Sequence, residues 1–342
     1  MSSPTGIPPV LQVHPTRRCN LACAHCYSSS GPTFRQALDL DLLSSCLEDA
    51  VALGYRQLAV SGGEPLLYDR LGELLARARA LGMLTSLTSN GMLATAERWG
   101  KLAPLVDVIA ISIDGTPSEH DALRRRSGAF AATARNLEAV RASGVPFGLI
   151  FTLTQHNVDS LDFVVHFAAQ NGARSVQVHP LTLHGRAATE LPEARPDSVE
   201  LSFALIEATR LGRELGVVVH VDALSADQLR AHRAALVPAR PVAELPAVAP
   251  VLVVDADAMV TPLTHEVSPR LALGSLEQAR LSVLARDWLR AGRGDALADA
   301  CARTWSELTA KPERPAVYWY EEVARRTRRL PVALRPLLQA CV

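Results

Sequence analysis

Val10-Leu-Gln-Val-His14-Pro-Thr-Arg-Arg-Cys19-Asn-Leu-Ala-Cys23-Ala-His25-Cys26 sets a short apolar run directly before three cysteines that fall within eight residues. A run that short, near Val10 to His14, reads as a buried strand, so the cysteine loop sits at a strand's C-terminal end. Three thiolates on one loop can hold three irons of a 4Fe-4S cube and leave the fourth iron open. The competing use of such a loop is structural zinc, which takes four protein ligands. His25 is the candidate fourth ligand for that ion; a second Cys-x-x-Cys half-site is missing from the chain.

Working outward, the pattern repeats. Leu43, Leu47, Ala50 and Val51 share one face of a helix that stops at Gly54, and Gln57 to Val60 reads as the next buried strand. Helices near Arg70 to Leu81 and Ala94 to Leu102 alternate with strands Leu84 to Thr88 and Val106 to Ile113. Two further units pair helix Phe130 to Ala142 with strand Pro146 to Leu153, and helix Leu161 to Gln170 with strand Ser175 to His179, before a long helix Ser198 to Leu215. Six strands alternating with helices imply parallel pairing with right-handed crossovers, hence a partial (β/α)6 TIM-like barrel whose ligand site lies at the strands' C-terminal ends.

After Val221 the texture changes. Pro238, Pro241, Pro246 and Pro250 are spaced too closely for a long helix, and a domain boundary is expected there. The expected division is an N-terminal extension (1–9), a core domain (10–221) and a small α+β accessory domain (222–342) holding a strand at Val251 to Val254 and an Arg-rich helical tail.

The 342 residues carry 35 basic and 35 acidic side chains, with 48% hydrophobic residues, and so describe an ordinary globular chain with no net field to attract nucleic acid or an anionic membrane. No apolar run of eighteen occurs and the N-terminus shows no signal segment, which gives a cytoplasmic expectation. Six cysteines lie at 19, 23, 26, 46, 301 and 341, a crowding that argues for metal and against a disulfide framework. Cys46 falls on a buried helix face, and Cys301 and Cys341 stand alone; none reads as a ligand.

The cysteine loop, with its Cys-x3-Cys-x2-Cys spacing and the approach Thr16-Arg-Arg-Cys19-Asn20-Leu21, resembles the signature of the radical S-adenosylmethionine superfamily. The resemblance implies an enzyme whose cofactors are one 4Fe-4S cluster on Cys19, Cys23 and Cys26 and S-adenosylmethionine chelated to the open iron. Electron transfer then releases a 5′-deoxyadenosyl radical that abstracts hydrogen from substrate. His25 would face the adenine through its backbone. Ser61-Gly62-Gly63-Glu64-Pro65 resembles the site for the methionine amino group, with glycines allowing close approach and a carboxylate suited to a cation. Thr88-Ser89-Asn90-Gly91 and Ile111-Ser112-Ile113-Asp114-Gly115 match the family in order, which implies that Asn90, Ser112 and Asp114 lie near ribose and the methionine carboxylate, with Arg124 as that carboxylate's charge partner.

His179, beside Gln177 on strand Val176-Gln-Val-His179, and Arg186 in His184-Gly185-Arg186 are candidates to face substrate. The C-terminal segment Val253 to Pro262, with Leu273-Gly274-Ser275-Leu276, resembles a SPASM/twitch accessory domain, but Leu263 stands where that family has a cysteine. A degenerate domain without its own cluster is expected. A flavodoxin or ferredoxin reductant is implied, and the substrate class left open is a peptide or a small molecule. Tyr318-Trp319-Tyr320 with Arg325-Arg326-Thr-Arg328-Arg329 is expected to be a solvated helix face.

Overall fold

The computed structural model describes residues 8–310 and 315–328; residues 1–7 of the expected extension, Arg329 and Cys341 lie outside the described residues. Seven parallel strands follow in order along the chain: β1 (Val10–Val13), β2 (Gln57–Val60), β3 (Leu84–Ser89), β4 (Val108–Ser112), β5 (Phe147–Leu153), β6 (Ser175–Pro180) and β7 (Val218–Val221). Helices α1 (Leu40–Ala52), α2 (Leu71–Ala80), α3 (Ala96–Leu102), α4 (Pro117–Arg124), α5 (Ala129–Ala142), α6 (Leu161–Asn171), α7 (Ala187–Glu190) and α8 (Ser198–Leu215) fill the crossovers. The architecture is mixed α/β on a parallel sheet that does not close on itself.

The helices start and stop where local chemistry dictates. Asp39 caps α1 by accepting from the backbone of Asp41 and Leu42, and α1 buries Leu43, Cys46, Leu47 and Ala50 before the chain turns at Gly54. Asp197 and Glu200 form a capping box that opens α8, and Gly216, at φ 67°, ends it where expected.

One difference concerns β7. Only Val221 of its four residues is buried, so apolar periodicity could not reveal it as the seventh strand. A second concerns the boundary after Val221. A two-residue strand β8 (Leu224–Ser225) follows it, but β9 (Val251–Val254), β10 (Met259–Pro262) and β11 (Gly274–Ser275) return to the barrel's opposite edge. There β9 pairs parallel with β1, in the register Val13↔Val254, and β10 and β11 extend the sheet antiparallel to ten strands. One hydrophobic cluster runs from Leu11 to Ala324, so the sheet and core continue across the expected division. Residues 316–317 form β12, paired with β8.

Candidate active site

Every parallel strand delivers its next loop to the same end, and the cysteine loop after β1 is the most heavily braced of them. Thr16 Oγ1 donates to the Gln36 carbonyl (2.6 Å), and the Cys19 N–H donates to the Gly31 carbonyl (3.1 Å), folding residues 16–36 back on themselves. The loop after β2 docks on this approach, with the N–H groups of Gly63 and Glu64 donating to the carbonyls of Thr16 and Arg18. A Cβ on Gly63 would lie 2.4 Å from the Arg18 oxygen, and one on Gly62, at φ 103°, 2.7 Å from His14 Cβ. These glycines therefore let two loops touch, a requirement separate from any approach to a ligand.

Cys19, Cys23 and Cys26 are reduced and line one cavity of about 740 Å³. Burial pushes the Cys19 thiol up to about 12, with the Glu64 charge adding to it, and burial raises Cys23 against the pull of Arg124. Without a metal these two groups stay thiols, and a positively charged cluster would reverse that. Among the described residues, the trio of metal-ligating side chains whose ligand atoms all lie within 4.8 Å of one another is His14, Asp255 and His265, not the cysteines. The three sulfurs therefore do not all lie within 4.8 Å of one another. Cys46 and Cys301 are buried in helices elsewhere. His25, the alternative zinc ligand, turns Nε2 toward Asp114 (3.7 Å), and its Nδ1 is buried without a hydrogen-bond partner.

The other expected residues divide into two groups. Gly62, Gly63, Asn90, Ser112 and Arg124 line the cavity with the cysteines and His25. Glu64, Pro65 and Asp114 do not; they are buried behind it. The Glu64 carboxylate accepts from Ser89 Oγ (2.8 Å) and from the backbone N–H of Asn90 (2.9 Å) and Leu66 (3.1 Å), which makes it a strut between the loops after β2 and β3. Asp114 is fully buried; its Oδ2 accepts from Arg124 Nε and Nη2, both at 2.7 Å, and its Oδ1 from the Thr152 N–H. Burial alone would raise the Asp114 carboxyl, but the Arg124 guanidinium holds it well below the usual range. Burial lowers His25, and likewise His120, whose Nδ1 accepts from the Asp114 N–H, to about 4.

Arg186 lines the cavity and also holds the cysteine loop. Its Nε donates to the Cys23 carbonyl (2.8 Å), Nη2 to Ser30 (2.7 Å) and Nη1 to Ser29 (3.4 Å), while its backbone N–H donates to Cys26 (2.9 Å). The guanidinium thus clamps the cysteine loop from the loop after β6, some 160 residues further along the chain. Gly185 beside it, at φ 59°, is equally constrained, since a Cβ there would lie 2.1 Å from the Tyr27 carbonyl. His179 does line the cavity, held by Asp222 Oδ2 at 2.6 Å; burial lowers its pKa, yet the Asp222 hydrogen bond and charge outweigh that and leave it raised. Gln177 donates to the same carboxylate.

Sequence reasoning passed over Asp222, which follows β7 directly, and the aromatic run Tyr318 to Tyr320, expected on a solvated face, lines the cavity instead. Arg325 pairs with Glu322, Arg326 with Glu307 and Arg328 with Glu266. These acidic partners, not an acidic ligand, face the basic run.

Residues 13–168 match the model of the Radical SAM superfamily. Fe-coproporphyrin III synthase of Methanosarcina barkeri is 30% identical over 62% of this chain and 54% of its own length. PqqA peptide cyclase of Ruegeria pomeroyi is 31% identical over 55% of this chain and 51% of its own. The chain thus spans about half the length of these relatives. Streptococcus suis SuiB bound to S-adenosylmethionine shares the fold at 16% identity and a TM-score of 0.64, over 84% of this chain and 67% of that one; SuiB bound to precursor peptide SuiA gives 0.59 at 15%, over 74% and 59%.

Proposed function

We propose that this chain is a radical S-adenosylmethionine enzyme that modifies a peptide. The observation that carries the reading is the set of three free thiols of Cys19, Cys23 and Cys26 on one braced loop, lining a single cavity. When bound, the cluster supplies an electron for reductive cleavage of S-adenosylmethionine, which starts hydrogen abstraction from substrate.

The chain's own residues do the holding. Gly62 and Gly63 present backbone, not a side chain, to the cavity, and the methionine amino group falls to that backbone because the Glu64 carboxylate already has three donors. Asn90 and Ser112 offer hydrogen bonds on the neighbouring strands. Arg124, with Nε and Nη2 committed to Asp114, still carries Nη1 for a carboxylate. The buried Asp114 fixes the guanidinium's direction. Burial keeps His25 neutral.

A peptide suits a cavity of about 740 Å³ that reaches Tyr318, Tyr320, His179 and Asp222 beyond the cofactor residues. PqqA peptide cyclase and peptide-bound SuiB favour this reading. A tetrapyrrole-like small molecule is the second reading, supported by the Fe-coproporphyrin III synthase match. Among the described residues no helix is long and apolar enough to cross a membrane. The cytoplasm, with a flavodoxin or ferredoxin as reductant, is the setting we assign.

The test is anaerobic incubation of reconstituted protein with dithionite and S-adenosylmethionine, with 5′-deoxyadenosine measured by mass spectrometry. Product from the wild type and none from the Cys19→Ala, Cys23→Ala, Cys26→Ala triple variant is expected. Continued cleavage by the triple variant would overturn the site.

A further inference from the structure

We propose that His14, Asp255 and His265 form a second, mononuclear site for a divalent transition-metal ion of the zinc or iron(II) type, in the wall beside the cysteine loop. The argument begins with sheet register. Val13 pairs with Val254 across the parallel β1–β9 ladder, and the His14 N–H donates to the Val254 carbonyl, so the next residue of each strand, His14 and Asp255, emerge side by side at the C-terminal end. His14 Nδ1 and Asp255 Oδ1 are 2.7 Å apart. After β10, Leu263 turns the chain at φ 66° and brings His265 over the ring of Tyr27, the residue following Cys26, at 4.5 Å and an interplanar angle of 6°.

One ligand atom from each of the three residues then lies within 4.8 Å of the others. Ligands about 2.1 Å from one ion stand roughly 2.7–3.5 Å apart, so small side-chain rotations close the set. Two imidazoles and one carboxylate suit zinc or iron(II) and poorly suit calcium or magnesium, which prefer oxygen.

Two further observations point to a ligand. The His265 Nδ1 is buried with no hydrogen-bond partner, an arrangement that is unfavourable unless something binds there. The remaining nitrogen of His14 already has the outer partners that metal-bound histidines keep, with Gln12 Nε2 at 2.8 Å and Tyr27 Oη at 3.3 Å from Nε2. With Nδ1 on an ion, Nε2–H donates to Tyr27 or to Gln12 with its amide turned, since amide orientation is not fixed by heavy-atom positions. His265, Tyr27 and Gln12 all line the cavity, so a coordination position left open by three protein ligands faces it and accepts an oxygen or nitrogen donor from substrate. Without the ion, the same His14 and Asp255 atoms make a simple hydrogen bond.

The experiment loads the cysteine site first. Anaerobically reconstituted protein, its cluster in place, is equilibrated with excess zinc, desalted and assayed for zinc and iron by mass spectrometry. One zinc per chain is expected in the wild type, and less than about a tenth in His265→Gln and in His14→Gln with iron unchanged. The Cys19→Ser, Cys23→Ser, Cys26→Ser triple variant, which lacks the thiols, is expected to keep its zinc. Zinc should raise the melting temperature of the wild type but not that of His265→Gln, whose zinc-free melt near that of the zinc-free wild type reports an intact fold. No retained zinc in the wild type, equal zinc in His265→Gln, or zinc lost with the cysteines would each overturn the site.

Discussion

Arg186→Ala tests whether a residue far along the chain holds the cysteine loop in shape. The substitution removes two short charge-assisted hydrogen bonds, to the carbonyls of Cys23 and Ser30, and one long contact to Ser29. Bonds to a charged group contribute about 1.5–3 kcal/mol each, and the carbonyls regain some water from the adjoining cavity, so a net loss of about 2–4 kcal/mol in loop order is expected. At about 1.4 kcal/mol per decade this is roughly a 30- to 1,000-fold shift toward an open loop. The assay is cluster loss to an iron chelator after anaerobic reconstitution, which should be at least about tenfold faster in the variant. Arg186→Lys should rescue little, because one ammonium cannot span carbonyls reached by separate nitrogens of a planar fork. A variant that keeps its cluster as long as the wild type, cleaves S-adenosylmethionine normally and fails only on substrate would refute the clamp and return Arg186 to a substrate contact.

Gly185→Ala should produce a related defect, since its Cβ would lie 2.1 Å from the Tyr27 carbonyl in a left-handed conformation; the strain of about 2–4 kcal/mol should appear as low iron content, and normal iron would contradict it. Asp114→Asn leaves Arg124 buried without its counter-charge, and should lower unfolding free energy by about 3–5 kcal/mol in urea titrations, with an unchanged midpoint as the contrary result. His25 and His120 are held by burial near 4, against about 6.5 in an unfolded chain. Between those values the unfolded state binds protons that the folded state refuses, so stability should fall as pH drops from about 6.5 to 4, by up to ~1.4 kcal/mol per pH unit for each histidine. Urea midpoints that stay level or rise over that window would show that these rings are protonated in the folded protein.

The strands of the barrel were legible because most are apolar runs buried between helices, and because glycines at positive φ, such as Gly54, Gly172 and Gly216, mark where helices must stop. β7 escaped notice because an edge strand buries too little to leave a pattern. The cysteine loop could be read from spacing alone, since its three ligands are neighbours in the chain. What could not be read is how side chains are used once the chain returns on itself. Arg186 meets Cys23 across 163 positions and His14 meets Asp255 across 241, and no local pattern announces such pairs. For the same reason the internal partners of Glu64 and Asp114, Ser89 and Asn90 for the one and Arg124 and Thr152 for the other, could not be read from the motifs.

The position of β1 between β2 and β9 has a consequence for how the protein comes into being. β1 leaves the ribosome with β2 soon after it, but its second neighbour is made some 240 residues later. Until then one edge of β1 is a row of unsatisfied backbone groups next to an unfinished cysteine loop, a template for pairing with the wrong strand. A fragment cut after residue 221 would keep that open edge permanently and lose the strand that seats Asp255. Such a fragment should self-associate, and β9 is therefore a folding partner of β1.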